Sequence, residues 1–319
     1  MLNFNPEQVT NAIREVGQNI ILPRWRNLQQ HEISEKTGPH DLVTIADKEA
    51  ERDLTPMLQN ILPGSVVLGE EGVAADPGIL GILQGKDPVW IIDPIDGTGH
   101  FAKGEEDFGT IIALVRHNEI LAGWIHHHVT GDTLIAEHGA GAYFRGEKLR
   151  VLAASALPEM HGALGGRLHD PVERYPGAGE GPKFDRRKSF VSCHIYVAML
   201  TGQKIFPGDR SPPQQHFRVT MMGSKPWDDA AGVLALRESG GEVIDWTRER
   251  YRPDMYNTGI IAAPGYDACL KLCDWLTPAY RAAKTRIIIP QHPPSPSLSP
   301  ASGGEEYHSA DCNKRPLSP

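Results

Sequence analysis

Cysteine is scarce in this chain, with four among 319 residues, at positions 193, 269, 273 and 312. That is too few for a disulfide framework at this length, and no C-x-x-C pair is present. Cys269 and Cys273 lie four apart on a predicted helix and read as buried small apolar residues rather than ligands. A basic surplus is also lacking. Forty acidic residues against 32 basic ones give a formal charge of -8 and a pI near 6.0, which argues against nucleic acid as the main partner. No apolar run approaches the ~20 residues that span a bilayer, so no membrane partner is expected. The opening M-L-N-F-N-P-E-Q carries no basic-then-apolar leader, so a cytoplasmic location is expected. Internal repeats are absent, and Gly162–Gly166 lacks the GK[ST] ending of a nucleotide-binding loop.

What is there is ordinary globular composition, 40% hydrophobic and 23% charged, long enough for two domains or one large one. Asn5-Pro6-Glu7 predicts a helix start, followed by Val9, Ile13, Val16, Ile20 and Ile21 at helical spacing and a kink or stop at Pro23. A second helix is predicted over 46–62, with Asp47 in its first turn and Pro56 as a weak point. A strand over 65–69 runs into Glu70-Glu71-Gly72. Residues 74–87 read as a loop, 89–92 as a buried strand, and 108–116, 120–128 and 133–137 as strands of a meander. Later, 168–188 reads as a loop, 191–202 as a helix and 206–215 as an irregular insertion. A helix opens at Pro226-Trp227-Asp228, strands follow at 242–246 and 257–263, and a last helix covers 267–276. The pattern is α+β rather than repeated βαβ units. It divides into an N-terminal half over 1–152, a C-terminal half over 153–286, and a disordered Pro/Ser-rich tail over 287–319.

Several acids sit where elements begin or end. Asp93 and Asp96 close the apolar run Val89-Trp90-Ile91-Ile92 and lead into Gly97-Thr98. Glu70 and Glu71 follow another strand, while Asp47 and Asp228 stand at helix starts. Acids brought together this way repel unless a cation neutralises them. Hard oxygen ligands of this kind suit Mg²⁺, and amides opening a helix at Gly97-Thr98 would cradle an anion beside it. That combination points to phosphate-ester hydrolysis by a metal-activated water. Each piece alone has a plainer reading: D-P-I-D-G-T as a turn, Glu70-Glu71 as a solvated pair, Asp228 as a helix cap. His126-His127-His128 on a strand would point to alternate faces, which reads as a structural or surface role. Ser192-Cys193-His194 lacks the geometry of a nucleophilic pair.

Taken together, Asp41-Leu42-Val43-Thr44-x-x-Asp47, Glu70-Glu71-Gly72, D-P-I-D-G-T at 93–98, W-D-x-A-A-G at 227–232 and E-S-G-G at 238–241 resemble the motifs of the inositol monophosphatase family, in order and spacing, over about 5–285. The resemblance implies the layered α/β/α/β/α sandwich of the inositol monophosphatase and fructose bisphosphatase type. It implies Glu70, Asp93 and the Ile95 carbonyl at a first Mg²⁺, and Asp93, Asp96 and Asp228 at a second. Glu70 and Thr98 would orient the attacking water, with Asp47 also in the catalytic set. Asp47 and Glu71 would serve in the outer shell or at a third ion. Asp96, Gly97 and Thr98 would bind phosphate. Mn²⁺ as a substitute, Li⁺ as an inhibitor and a homodimer are further implications.

The implied function is Mg²⁺-dependent hydrolysis of a small phosphorylated metabolite, an inositol-monophosphate-like monoester. Histidinol phosphate, a sugar phosphate or a nucleotide 3′-phosphate are alternatives, and a catalytically silent binding protein is the alternative of another class. The chain also departs from the family pattern. Gly99-His100 replaces the usual Thr-Asn after D-G-T, and Val191-Ser192-Cys193-His194 stands where a G-S-A-A-like segment is common. Met221, Met222 and Gly223 occupy the stretch where members that use inositol carry an acid.

Overall fold

A computed structural model describes residues 4–38, 41–153, 156–185, 191–202 and 215–288. The insertion expected at 206–215, apart from Gln215, and the tail from 289 lie outside the described residues. Asn5 accepts the Glu7 amide at 3.0 Å and Pro6 presets the first helical φ, so α1 runs over Pro6–Val16. A π-turn, Gly17–Ile21, then precedes α2, Leu22–Arg24, which contains Pro23. Strands β1 (Ile33–Gly38) and β2 (Asp41–Thr44) form an antiparallel hairpin. The helix α3, Ile45–Ile61, opens on a capping box between Thr44 and Asp47 and continues through Pro56.

Next come β3 (Val66–Gly69) and α4 (Glu70–Ala75), so Glu70 and Glu71 form the first turn of a short helix. The expected loop at 74–87 contains a 3₁₀ stretch, Pro77–Gln84. There follow β4 (Val89–Asp96), α5 (Thr98–Ala102), β5 (Gly109–Arg116), β6 (Glu119–His126), β7 (Thr133–Glu137), β8 (Gly141–Phe144) and β9 (Glu147–Lys148). Strands β3 to β9 make one seven-stranded sheet in sequence order, antiparallel except for the parallel pair β3–β4.

The second half holds β10 (His161–Leu164), α6 (His169–Arg174), β11 (Lys183–Asp185), α7 (Ser192–Thr201), β12 (Phe217–Val219), α8 (Pro226–Glu238), β13 (Glu242–Asp245), β14 (Ile260–Ala263) and α9 (Tyr266–Ile288). Its strands form a five-stranded sheet in the order β11-β10-β12-β14-β13. The segment read as a loop over 168–188 therefore contains a helix and an edge strand. The last helix runs past the expected stop at 276, through Pro278.

Three apolar clusters define five layers. Side chains of α1 and α3 cover one face of the large sheet, α7 and α8 lie between the two sheets, and α6 and α9 cover the outer face of the small one. Strand β4 shows the logic: Val89 and Ile91 enter the middle layer, while Trp90 and Ile92 face α1 and α3. Because both faces are covered, the strand is apolar throughout until it reaches its acids. The architecture is the α/β/α/β/α sandwich. Among the described residues no helix is long and apolar enough to cross a membrane.

Candidate active site

In a regular strand, Asp93 and Asp96 would point to opposite faces. The pairing with β5 shifts between them, Asp93 lying opposite Ile111 and Asp96 opposite Gly109, so three residues on β4 match two on β5. This bulge contains Pro94, which has no amide to lose from the ladder. It turns both aspartates to one side. The Asp93 Oδ1 accepts the Ile95 amide at 3.0 Å, and Thr110 Oγ1 donates to the Pro94 carbonyl at 2.7 Å. Gly97 ends the strand at φ 90°, and a Cβ there would lie 2.4 Å from the Asp107 carbonyl. Only glycine fits both demands.

Asp228 arrives on the first turn of α8. Each of Asp93, Asp96 and Asp228 brings a carboxylate oxygen within 4.8 Å of the others. Its neighbour Asp229 is fully buried and anchors the turn. Asp229 accepts from Tyr196 Oη at 2.9 Å and from Ser224 Oγ at 2.6 Å, and pairs with the buried Arg218 guanidinium at 3.1 Å. The A-A-G portion of the motif is a packing device. A Cβ on Gly232 would strike the Tyr196 ring, and one on Gly123 of β6 would lie 2.8 Å from Ala231 Cα.

Glu70 and Glu71 are placed from behind by Glu51 of α3, whose carboxylate accepts the Glu71 and Gly72 amides at 2.8 Å each and so caps α4. From the front, Lys36 Nζ lies 2.6 Å from Glu70 Oε1 and 2.6 Å from Glu71 Oε1. Burial opposes the Lys36 charge but is outweighed by these two glutamates, which raise its pKa. The Thr98 hydroxyl meets Asp47 Oδ1 at 3.1 Å and the Ile95 carbonyl at 3.0 Å. Thr98 thus pairs directly with Asp47, whose carboxylate the capping box at Thr44 fixes beside α5.

The electrostatics follow from crowding. Burial, then the charges of Glu70, Asp96 and Asp228, push Asp93 well above the usual carboxylate range. Asp228 is raised likewise by burial and by Asp229, Asp96 and Glu70. Burial also raises Asp96, against the opposing hydrogen bonds from Cys193. Asp47 and Glu51 each rise to about 7, chiefly through burial. The donors are all oxygen and mutually repulsive, so the residues present fit a hard divalent cation such as Mg²⁺.

The sequence pattern of the inositol monophosphatase family matches residues 5–277. A fructose-1,6-bisphosphatase/inositol-1-monophosphatase of Thermotoga maritima is 32% identical over 241 residues, covering 74% of this chain and 82% of that relative. The chain belongs to the inositol monophosphatase family. An inositol-1-monophosphatase of Bacillus subtilis is 32% identical over 232 residues, covering 72% and 80%. A Vibrio cholerae relative named Nus factor SuhB is 29% identical over 237 residues, covering 74% and 82%. The solved T. maritima IMPase superposes with a TM-score of 0.66 at 27% identity, over 85% of this chain and 97% of that one. Membership of this family supports phosphatase activity.

Within the family frame, the structure brings Asp47, Glu70, Asp93, Ile95, Asp96, Gly97, Thr98 and Asp228 to one region. Glu51, Lys36, Arg218 and Asp229 escaped sequence reading. Glu51 is one helical turn beyond Asp47, and that spacing is the only signal that could have found it. The Val191-Ser192-Cys193-His194 segment does reach the site: it opens α7, and the Cys193 amide donates to Asp96 Oδ2 at 2.5 Å. The expectation of a structural or surface role for His126-His127-His128 is narrowed, since β6 ends at His126 and all three are buried. Burial holds all three below the usual histidine range.

Proposed function

We propose that this chain is a Mg²⁺-dependent phosphatase of small phosphate monoesters. The observation that carries the reading is the convergence of Asp93, Asp96 and Asp228 within 4.8 Å, all held above their ordinary pKa by burial, with carboxylate repulsion adding to it at Asp93 and Asp228. Asp93, Asp96 and Asp228, with Glu70 and the Ile95 carbonyl, would hold the cations. When bound, the cations supply neutralising charge at the phosphate and acidify water.

The chain's own groups do the rest. Asp47, poised at about 7, accepts the Thr98 hydroxyl proton and leaves that oxygen free to take a proton from an incoming water. At the start of α5 the His100 and Phe101 amides donate to the Gly97 carbonyl, which leaves those of Thr98 and Gly99 to offer donors to phosphate oxygens. Lys36, Lys48 and Lys225 line a cavity of about 810 Å³ with Glu35, Glu70, Glu71 and Asp228, which suits an anionic substrate once cations offset the carboxylates. A second cavity of about 770 Å³ adjoins it at Gly223, lined by Arg167, Met221 and Met222. The organic part of the substrate fits there, where Arg167, His169, Asp170 and Asn257 offer polar contacts beside Met221 and Met222.

Phosphate release from a panel of inositol, sugar, histidinol and nucleotide monoesters, with and without Mg²⁺, tests the reading. Asp93→Asn is expected to lower turnover by about 10²–10³-fold, the scale on which one preorganised electrostatic group is felt. Wild type no faster than Asp93→Asn on every substrate would sink the enzyme reading. It would then favour the silent binding protein, in keeping with the Nus factor name of the Vibrio cholerae relative. Li⁺ is expected to inhibit.

A further inference from the structure

The three histidines that close β6 take separate routes. His126 Nδ1 meets Thr133 Oγ1 at 2.8 Å, and His128 Nε2 meets Thr110 Oγ1 at 2.7 Å. His127 instead faces His194 of α7, with Nδ1 of one ring 3.1 Å from Nε2 of the other. The ligating atoms of His127, Cys193 and His194 all lie within 4.8 Å of one another, and all three residues are buried. We propose that His127, Cys193 and His194 form a nitrogen–sulfur site for a zinc-class transition-metal ion, separate from the carboxylate site and joined to it through Cys193.

Four observations converge on this site. Two imidazole nitrogens and a thiol are the donor set of zinc rather than magnesium, and three protein ligands leave one position for water. The 3.1 Å between the ring nitrogens approaches the spacing of two ligands on one tetrahedral ion, about 3.3 Å for bonds of about 2.0 Å. His194 Nδ1 lies 2.9 Å from Asp107 Oδ1, so Nδ1–H donates to the carboxylate and the Nε2 lone pair turns to His127. His127 is 2% exposed, and its Nε2 has no hydrogen-bond partner among the described residues. The protein's own hydrogen bonds therefore leave the Nε2 edge of that ring unsatisfied, while its Nδ1 edge meets His194.

An access route is present as well. The Asp107 side chain is 34% exposed and lies 3.8 Å from His100 Nδ1, and His100, Glu105 and Asp107 form a second group of ligating atoms within 4.8 Å. Ligating groups thus lead from the surface to the buried trio. His100 belongs to the Gly99-His100 pair that departs from the family pattern. On binding, the Cys193 thiol proton passes to solvent and the sulfur–metal bond replaces it. The site does not rest on the phosphatase reading.

Co²⁺ titration of the metal-free full-length chain in excess Mg²⁺ tests it. The expected result is a thiolate-to-cobalt band in the near ultraviolet with intense tetrahedral bands in the visible. These should saturate at one equivalent and be displaced by Zn²⁺. Cys193→Ser should abolish the ultraviolet band, Asp107→Asn should weaken Co²⁺ binding about 10- to 100-fold, and Asp93→Asn should leave the band intact. No thiolate band in wild type would overturn the proposal, leaving the histidines as a hydrogen-bonded relay. A band that survives Cys193→Ser would overturn it too, by moving the ligand to another cysteine. If Cys193→Ser proves unfolded by circular dichroism, His127→Asn decides: undiminished Co²⁺ affinity there overturns the site.

Discussion

Asp93 and Asp96 are fixed by main chain, through a bulge in a buried strand, an amide on Asp93 and a glycine turn beyond it. Asp228 is fixed by side chains, through the buried group of Asp229, Arg218, Tyr196 and Ser224 under the first turn of α8. Glu70 and Glu71 resemble Asp228 in this respect, since Glu51 holds their turn from below. The strand side is rigid because the ladder cannot slip without turning its apolar residues out of the core. The helix side depends on a few desolvated polar contacts, each of which can be removed by one substitution. The same site therefore has one robust wall and one fragile wall.

That contrast can be broken most forcefully at Arg218. Arg218→Met leaves Asp229 buried without its cation and should cost about 3–5 kcal/mol of stability, read as a drop in the urea midpoint. Adding Asp229→Asn should recover most of it, and failure to do so would mean that Arg218 acts through packing on Tyr196 instead. Glu51→Gln is the next test. It should raise the Mg²⁺ concentration for half-maximal turnover by about 10- to 100-fold, as loss of a supporting hydrogen bond does at metal sites, with kcat at saturating Mg²⁺ nearly kept. A fall in kcat with unchanged Mg²⁺ dependence would show that Glu51 does not place the glutamates.

The smallest effect is on pH. Asp47 and Glu51 have folded pKa values of about 7 against ordinary values of 3.8 and 4.5, so between those limits the folded state alone holds their protons. Their contribution to the stability of the metal-free protein should then fall as pH rises from about 4 to about 7 and level off above. Saturating Mg²⁺ should flatten this slope, because it favours the charged carboxylates. Turnover at saturating Mg²⁺ should rise with pH at a midpoint below about 7, as Asp47 loses the proton that blocks its exchange with Thr98. Because the buried His126, His127 and His128 shift stability the other way, the test is the difference between wild type and an Asp47→Asn, Glu51→Gln variant: a difference that does not fall with pH would contradict the burial of these two acids.

The robust wall was also the legible one. The apolar run from Val89, ending in Asp93-Pro94-Ile95-Asp96-Gly97-Thr98, carries its strand, its bulge and its turn in ten consecutive residues, so local pattern and family resemblance both find it. The fragile wall is assembled from residues far apart in the chain. Arg218, Asp229 and Tyr196 meet only in the folded state, and each alone reads as an ordinary helix or strand residue. Glu51 looks like one more solvated acid on a helix until α4 is packed against it. The hairpin of β1 and β2 and the edge strand β11 escaped for a related reason: short, polar strands owe their existence to partners, not to propensity. His127 and His194 are 67 positions apart, and only the end of β6 at His126 lets them face each other.

The contact between Gly123 and Ala231 has a consequence for how far this site can drift. With only a hydrogen on one side and a methyl on the other, α8 seats directly on the backbone of β6, where a Cβ on residue 123 would come within 2.8 Å of Ala231 Cα. The gap between Asp96 and Asp228 is therefore gauged by the thickness of two small residues lying elsewhere in the middle layer. Residues of the second cavity, such as Met221 and Met222, can change, and with them the substrate, while that gauge keeps the cation-sized spacing unchanged.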